Sequence, residues 1–189
     1  MSVEFVGKYI SEILPAQPEH ADRLTQITIA AKRHWEYPET WIQLWIPLLT
    51  ISAAYISENE TWMAVVDNKP VGYYSLTLDS VIARRAPSAT KQSNYSRRRL
   101  LRQRAPRNDE VLWLDNLWVL PAFMAQGIGG NLFKHALVRS LARGAAVLKI
   151  EADPNAEGFY RNMGARRVGE NRSEVNGQPR ILPVMEIRL

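Results

Sequence analysis

The sequence predicts one α/β domain whose sheet mixes antiparallel and parallel strand pairing. Three observations lead there. A length of 189 residues supports one well-buried core and is short for two. Two β-rich runs, Thr61 to Asp67 and Val71 to Leu78, are joined by Asp67-Asn68-Lys69-Pro70, a turn composition that suits an antiparallel hairpin. Farther on, Val111 to Leu120, a long amphipathic stretch and Ala146 to Glu151 follow in the order strand, crossover helix, strand, which predicts a right-handed parallel pair.

Ile10 to Leu14 reads as a short first strand, closed by the turn Pro15-Ala16-Gln17-Pro18-Glu19. A helix follows, with Leu24, Ile27 and Ala31 about one turn apart. Pro18 and Glu19 lie near its start, where a missing donor and the helix dipole favour proline and acid. Trp41, Leu44, Trp45, Leu48 and Leu49 have the i, i+3, i+4, i+7, i+8 spacing of one buried helical stripe, which Pro47 is expected to break or kink. After the hairpin, Val111 to Leu120 is apolar on nearly every residue except Asp115 and Asn116, the pattern of a central strand covered on both faces; Pro121 ends it. Ile128, Leu132, Phe133, Ala136, Leu137, Ser140 and Leu141 form the stripe of a long helix that stops near Gly144. A short helix from about Asn155 to Met163, closed by Gly164, precedes closing strands at Arg166 to Val168 and Ile181 to Arg188.

Composition removes several chemistries. Hydrophobic residues at 46% and charged residues at 23% are ordinary for a globular chain. With no cysteine there is no disulfide, no thiolate nucleophile and no sulfur-based metal site. His20, His34 and His135 are scattered without metal-ligand spacing, so no metal is expected. The N-terminal residues lack the apolar core of a secretory signal, and a cytoplasmic setting is the expectation. Thr40 to Ser57 is uncharged and approaches the ~20 residues that span a bilayer. It also holds Gln43, Pro47, Thr50 and Ser52, so it reads as a buried or groove-lining helical segment with no membrane partner.

The formal net charge of +5 is concentrated in one stretch. Between Val81 and Glu110 nine basic residues stand against two acidic ones, leaving the remainder of the chain slightly acidic. Clustered arginines bind phosphates, but Tyr95 is the only aromatic there and no nucleic-acid-binding module is recognisable. The stretch reads as a basic insertion at about 81–110 within a single domain spanning 1–189, solvated or facing a partner, with a short helix at Arg97 to Gln103 as one option.

The turn Gln126-Gly127-Ile128-Gly129-Gly130 opens the long helix. The first backbone N–H groups of a helix have no partner, and glycine lets them approach an anion without a Cβ in the way. A plain strand-to-helix loop is the simplest alternative. A dinucleotide site is another, because Glu151 ends the next strand where such a site keeps its ribose-binding acid. Against the latter, Leu132 stands where the third glycine belongs, and Leu120 to Gln126 separate the strand from the glycines.

Leu117-Trp118-Val119-Leu120-Pro121, followed by Met124-Ala125-Gln126-Gly127-Ile128-Gly129, resembles the fourth strand and pyrophosphate loop of the GNAT superfamily of acyl-CoA-dependent N-acyltransferases. Met124 takes the place of the leading Gln or Arg of the family pattern. Ile13 to Ala21 is similar to the family's opening strand and turn, and Glu151 to Ala165 to its late strand and short helix. The resemblance covers most of the chain. It implies a mixed, mostly antiparallel twisted sheet of about six or seven strands with a central parallel splayed pair, flanked by about four helices.

It also implies acetyl-CoA as co-substrate and transfer of its acetyl group to a primary amine of a small molecule or a protein, with a homodimer compatible. By the same resemblance, Leu117, Trp118 and Val119 meet the pantetheine arm, Gln126, Gly127, Ile128, Gly129, Gly130 and Asn131 the pyrophosphate, and Asn155 and Phe159 the arm from the other side. For Asn155 a helix cap is the alternative role. Tyr160 falls on the position of the acid that protonates the departing thiolate; a phenol of pKa about 10 suits that task, and packing beside Phe159 is the alternative. Asp115, in an otherwise apolar strand, is the candidate to orient the amine or take its proton, with Glu110 and Glu151 behind it, and an ion pair with an arginine is the structural alternative. The early helices would wall the acceptor, which brings Trp35 and Tyr37 near it. Without cysteine, direct transfer is favoured over an acyl-enzyme. A non-catalytic acyl-CoA-binding regulator and a nucleic-acid-binding protein are the competing functions.

Overall fold

The computed structural model describes residues 3–6, 9–78, 110–175 and 177–189, so the basic insertion other than Glu110, with its optional helix, lies outside the described residues. Strands β1 (Val3–Val6), β2 (Tyr9–Pro15), β3 (Glu60–Val66), β4 (Lys69–Thr77), β5 (Glu110–Val119), β6 (Ala145–Glu151), β7 (Arg166–Val175) and β8 (Gln178–Arg188) form one sheet. Their order is β1-β2-β3-β4-β5-β6-β8-β7. Every neighbouring pair is antiparallel except β5 with β6, the parallel pair expected from the strand, crossover helix and strand.

The β3–β4 hairpin closes through Asp67 and Asn68, both left-handed at φ 48° and 59°, with Val66 paired to Lys69. That mirror-type turn matches the twist of the flanking strands, and Asp and Asn tolerate it best after glycine. The sheet has one strand more than anticipated, because Val3–Val6 pairs back onto β2. The closing strands run longer than their apolar segments. β7 is an edge strand, almost wholly exposed, so its length leaves no apolar alternation in the sequence.

Helices α1 (Ala21–His34), α2 (Glu39–Leu49), α3 (Ala53–Glu58), α4 (Ile128–Ala142) and α5 (Glu157–Asn162) are the α-helices among the described residues. Leu24 and Ile27 of α1 and Ile56 of α3 bury against Met63 and Tyr73 on one face of the sheet. Ile128, Leu132, Phe133 and Ala136 of α4, with Tyr160 of α5, bury against Ala64, Tyr74 and Leu148 on the other. Strand alternation explains the split, since Tyr73 and Tyr74 are adjacent and face opposite ways.

In α2 the buried face is Ile42, Trp45 and Leu49, whereas Leu44 and Leu48 are 58% and 53% exposed. The expected stripe is thus rotated: several apolar faces share the helical period here, and the one that meets α1 and Val175 is the one buried. Pro47 does not break the helix. It falls in the last turn, and the helix ends normally with Thr50 N–H donating to the Ile46 carbonyl at 3.0 Å. Leu141, near the end of α4, is likewise exposed. No helix among the described residues is long and apolar enough to cross a membrane; α2 and α3 divide the uncharged run.

Candidate active site

The site begins where the parallel pair comes apart. β5 and β6 pair from Glu110 opposite Ala145, through a register shift before Val111, to Leu114 opposite Ile150, and no farther. On its other side β5 stays bonded to β4 as far as Val119. A bulge marks the point of divergence. Leu114 faces Leu76 and Asn116 faces Ser75, which leaves Asp115 as the extra residue. An extra residue bends its strand and re-aims its side chain, so the bulge turns β5 away from β6. Beyond its end, Ala152 N–H donates to Pro183 of β8. Between the parted strands lies a cleft of about 720 Å³.

One end of the cleft is made largely of main chain. Asp115 to Val119 line it with an edge that no described strand covers. The turn before α4 follows, with Ala125 at φ 58° and Gly127 at φ 85°. Alternating left-handed residues gather successive N–H groups into a concave nest suited to an anion. Ala125 holds its left-handed conformation in spite of a Cβ, which costs about 1–2 kcal/mol. Gly129 and Gly130 are helical. A Cβ would lie 3.7 Å from Phe159 at the first and 3.9 Å from Met163 at the second, so the protein itself has room for alanine at both.

Gly127, Gly129 and Gly130 line the cleft, as do Leu117, Trp118, Val119, Asn155, Phe159, Tyr160, Asp115 and Trp35. Ile128 is buried in the core, so only its backbone can serve a ligand. Gln126 donates from Nε2 to the Ala122 carbonyl at 2.8 Å. Its Oε1 and the Asn131 Nδ2 are buried and without hydrogen-bond partners in the described structure. Neither Gln126 nor Asn131 lines the cleft.

Tyr160 is buried, with Phe133 and Phe159 packed around its ring at 5.7 and 5.1 Å between centroids. Burial, and then the charge of Asp153, push its phenol above the usual value, so it stays protonated through the neutral range. Asp115 accepts from Tyr55 Oη at 2.5 Å and from Asn116 Nδ2 at 3.0 Å, both on Oδ2. Trp118 Nε1 donates to Asn116 Oδ1 at 2.9 Å and steadies this group. Asp115 is therefore held by a tyrosine and an amide among its described partners.

The opposite end is made of side chains from distant segments. Lys32 of α1 pairs with Asp153, both nearly buried with side-chain exposures of 4% and 8%. Asp153 also accepts from Tyr37 Oη at 2.8 Å and from Asn155 N–H at 3.0 Å, and Arg180 of β8 approaches it at 3.6 Å. Asp153 is thus the cap of the turn Pro154–Ala156, and Asn155 is not. The Asn155 Nδ2 instead reaches Tyr37 Oη at 3.2 Å. Tyr37 stands behind the lining, holding Asp153 and packing on Trp41 and Trp45. Lys32 and Arg180 both lie over the Trp45 ring, at 4.7 and 4.6 Å.

Burial draws the Lys32 ammonium from 10.5 down to about 8 despite its carboxylate partner. Burial alone would raise Asp153, but the Lys32 charge and the surrounding donors outweigh it and hold the carboxyl below its ordinary range. Sequence reasoning missed Lys32, Tyr55, Asp153 and Arg180 as site residues. A signal existed for Lys32, which continues the i, i+4 row Leu24, Thr28 on the buried face of α1. No group of His, Cys, Asp or Glu among the described residues has the arrangement of a metal site.

A mostly antiparallel sheet opened at one parallel pair, with an anion-ready turn at the head of the crossover helix, defines a class of fold that admits an extended ligand between two strands. It is not the doubly wound parallel sheet of a dinucleotide-binding domain. The Acetyltransferase (GNAT) family profile matches residues 24–165. The chain therefore belongs to the GNAT acetyltransferase family.

Among solved structures, a GCN5-related N-acetyltransferase from Rhodopseudomonas palustris matches with a TM-score of 0.69 at 21% identity, covering 100% of this chain and 99% of that one. The PaiA N-acetyltransferase of Thermoplasma acidophilum, solved with coenzyme A, matches at 0.60 and 17%, covering 95% and 99%. The ribosomal-protein-S18-alanine N-acetyltransferase of Escherichia coli matches at 0.60 and 15%, covering 94% and 93%. At these identities the likeness is one of fold. No curated protein sequence matches the chain.

Proposed function

We propose that the protein moves the acetyl group of acetyl-CoA directly to a primary amine of a small molecule or a protein. The parted β5–β6 pair with the nested N–H groups at its head is the observation that carries this reading. The edge at Leu117, Trp118 and Val119 suits an amide-bearing arm added as a strand is added to a sheet. The turn from Gln126 to Gly130 offers helix-start donors to a pyrophosphate, and the Asn131 side chain lies just behind them. Asn155 and Phe159 flank the arm from the side of α5. Coenzyme A in the PaiA complex supports the choice of co-substrate, and the protein amine acceptor of the S18-alanine enzyme keeps that class of acceptor open.

The neutral amine attacks the thioester carbonyl carbon, and collapse of the tetrahedral adduct breaks the C–S bond. The departing thiolate takes the Tyr160 hydroxyl proton. The proton shed by the amine passes to Asp115, directly or through Tyr55, and from there to solvent, while solvent returns one proton to the Tyr160 phenolate. The chain has no cysteine to hold an acyl group, which supports transfer in one step.

Thermal shift with acetyl-CoA, longer acyl-CoAs, NAD and ATP tests the reading, since a ligand at 100 times its Kd adds about 2.7 kcal/mol to a folded state that alone binds it. Stabilisation by acetyl-CoA and release of free thiol with an amine panel are expected. Stabilisation by NAD alone would overturn the proposal. Acetyl-CoA binding without thiol release from any amine would leave a non-catalytic acyl-CoA binder.

A further inference from the structure

Arg180 brings to the cleft a charge that the chain itself uses only in part. Its side chain is 13% exposed and lines the cleft, with the guanidinium carbon 4.6 Å from the Trp45 ring centre. Its carboxylate neighbour is Asp153, and at 3.6 Å the contact is too long for a hydrogen bond. Its Nε is buried and makes no hydrogen bond in the described structure. Asp153 is already engaged by Lys32, Tyr37 and Asn155.

Among the described residues the wall thus holds two cations against one carboxylate, with the Tyr37 hydroxyl as the other polar neighbour of Arg180; a buried guanidinium short of anionic partners is costly there. The other two carboxylates that line the cleft sit elsewhere. Asp115 and Glu151 belong to the parted strands. The parted strands thus bring two carboxylates to the lining, whereas the wall of Lys32, Arg180 and Asp153 carries more cations than carboxylates.

We infer that the acceptor is an amine that also carries an anionic group, a carboxylate or a phosphate, and that Arg180 docks this group while the amine points to the parted strands. The inference rests on the acetyltransferase reading. A guanidinium presents parallel N–H donors that match the two oxygens of either anion, and the Trp45 face fixes its plane. Lys32, already paired, adds its charge to the same wall without being the primary contact.

Amine pairs that differ by the anionic group test it: glycine against glycinamide for the carboxylate, O-phosphoethanolamine against ethanolamine for the phosphate. At least a tenfold higher kcat/KM is expected for the anionic member of one pair set, and which set shows it separates the two anions. Arg180→Leu should bring that ratio close to one with acetyl-CoA affinity unchanged, and Arg180→Lys should retain part of it. Tryptophan fluorescence, with Trp45 beneath Arg180, reads the same preference by titration of the coenzyme A-loaded protein, independently of turnover. Equal or reversed preference in both readouts, or a preference that survives Arg180→Leu, overturns the inference. Failure of acetyl-CoA to bind would instead defeat the acetyltransferase reading, and titration of the free protein with the same pairs would still report on Arg180.

Discussion

The two ends of the cleft are built from different materials. The end at the glycine turn is main chain: a strand edge left by the bulge and N–H groups gathered by two left-handed residues within one short stretch. The opposite end is side chain: Lys32, Tyr37, Trp45, Asp153 and Arg180 converge from α1, α2, β8 and the loops beside them. A site of main-chain groups accepts whatever shares a common scaffold, since backbone geometry varies little with sequence. A site of converging side chains can be changed one residue at a time. The division suits a shared acyl donor at one end and a particular acceptor at the other.

The strongest way to break this contrast is at Asp153, where Asp153→Ala leaves Lys32 buried without its carboxylate. A loss of about 3–5 kcal/mol in unfolding free energy is expected by chemical denaturation. Lys32→Met combined with Asp153→Leu should recover most of it, because an apolar pair needs no compensation. A single-variant cost under about 1 kcal/mol would mean the ion pair does not hold that end together.

Tyr160→Phe comes next. Turnover should fall about 100-fold, or about 2.7 kcal/mol, with acetyl-CoA affinity nearly unchanged. Unaltered kcat would remove Tyr160 from the acid role. Since burial raises its phenol, Tyr160 should contribute no loss of activity between pH 7 and pH 9.

A smaller effect separates the ends by pH. Lys32 is held near 8 in the folded chain, below its unfolded value of about 10.4, so between those limits the unfolded chain binds the extra proton. Its contribution to stability therefore rises with pH across that window, by at most about 1.4 kcal/mol per pH unit. Comparison of the wild type with the Lys32→Met, Asp153→Leu double variant isolates it; a flat difference from pH 8 to pH 10 would contradict the shift.

The mildest test is Gly129→Ala, for which the protein has room. The melting temperature should hold while acetyl-CoA binding weakens about fivefold, or about 1 kcal/mol. Loss of stability instead would assign that glycine to packing.

The same contrast explains what could be read in the sequence. The turn, the strand before it and the parallel pair are local or periodic features, and the structure brings Gly127, Gly129, Gly130, Leu117 and Val119 to one cleft as anticipated. Asp115 and Tyr160 were legible as isolated polar groups in apolar settings. Lys32 and Asp153 are 121 positions apart, and nothing in either neighbourhood names the other. Arg180 sits in a closing strand where a basic residue ordinarily faces water. The rotated face of α2 was hidden for a different reason: where leucine, isoleucine and tryptophan appear on every side, periodicity alone does not choose among faces.

The bulge at Asp115 does more than open the cleft. Upstream of it, the residues of β5 that join the core under α4 are even-numbered, Leu112 and Leu114; downstream they are odd-numbered, Leu117 and Val119, while Trp118 turns to the core under α1. Asp115 acts as a phase shifter. It lets a strand step from even to odd while keeping the same hydrophobic face against the same helix. Were Asp115 kept and the bulge ironed into strict alternation, Val119 would exchange with Trp118, and the chain would then present an indole where α4 needs a valine.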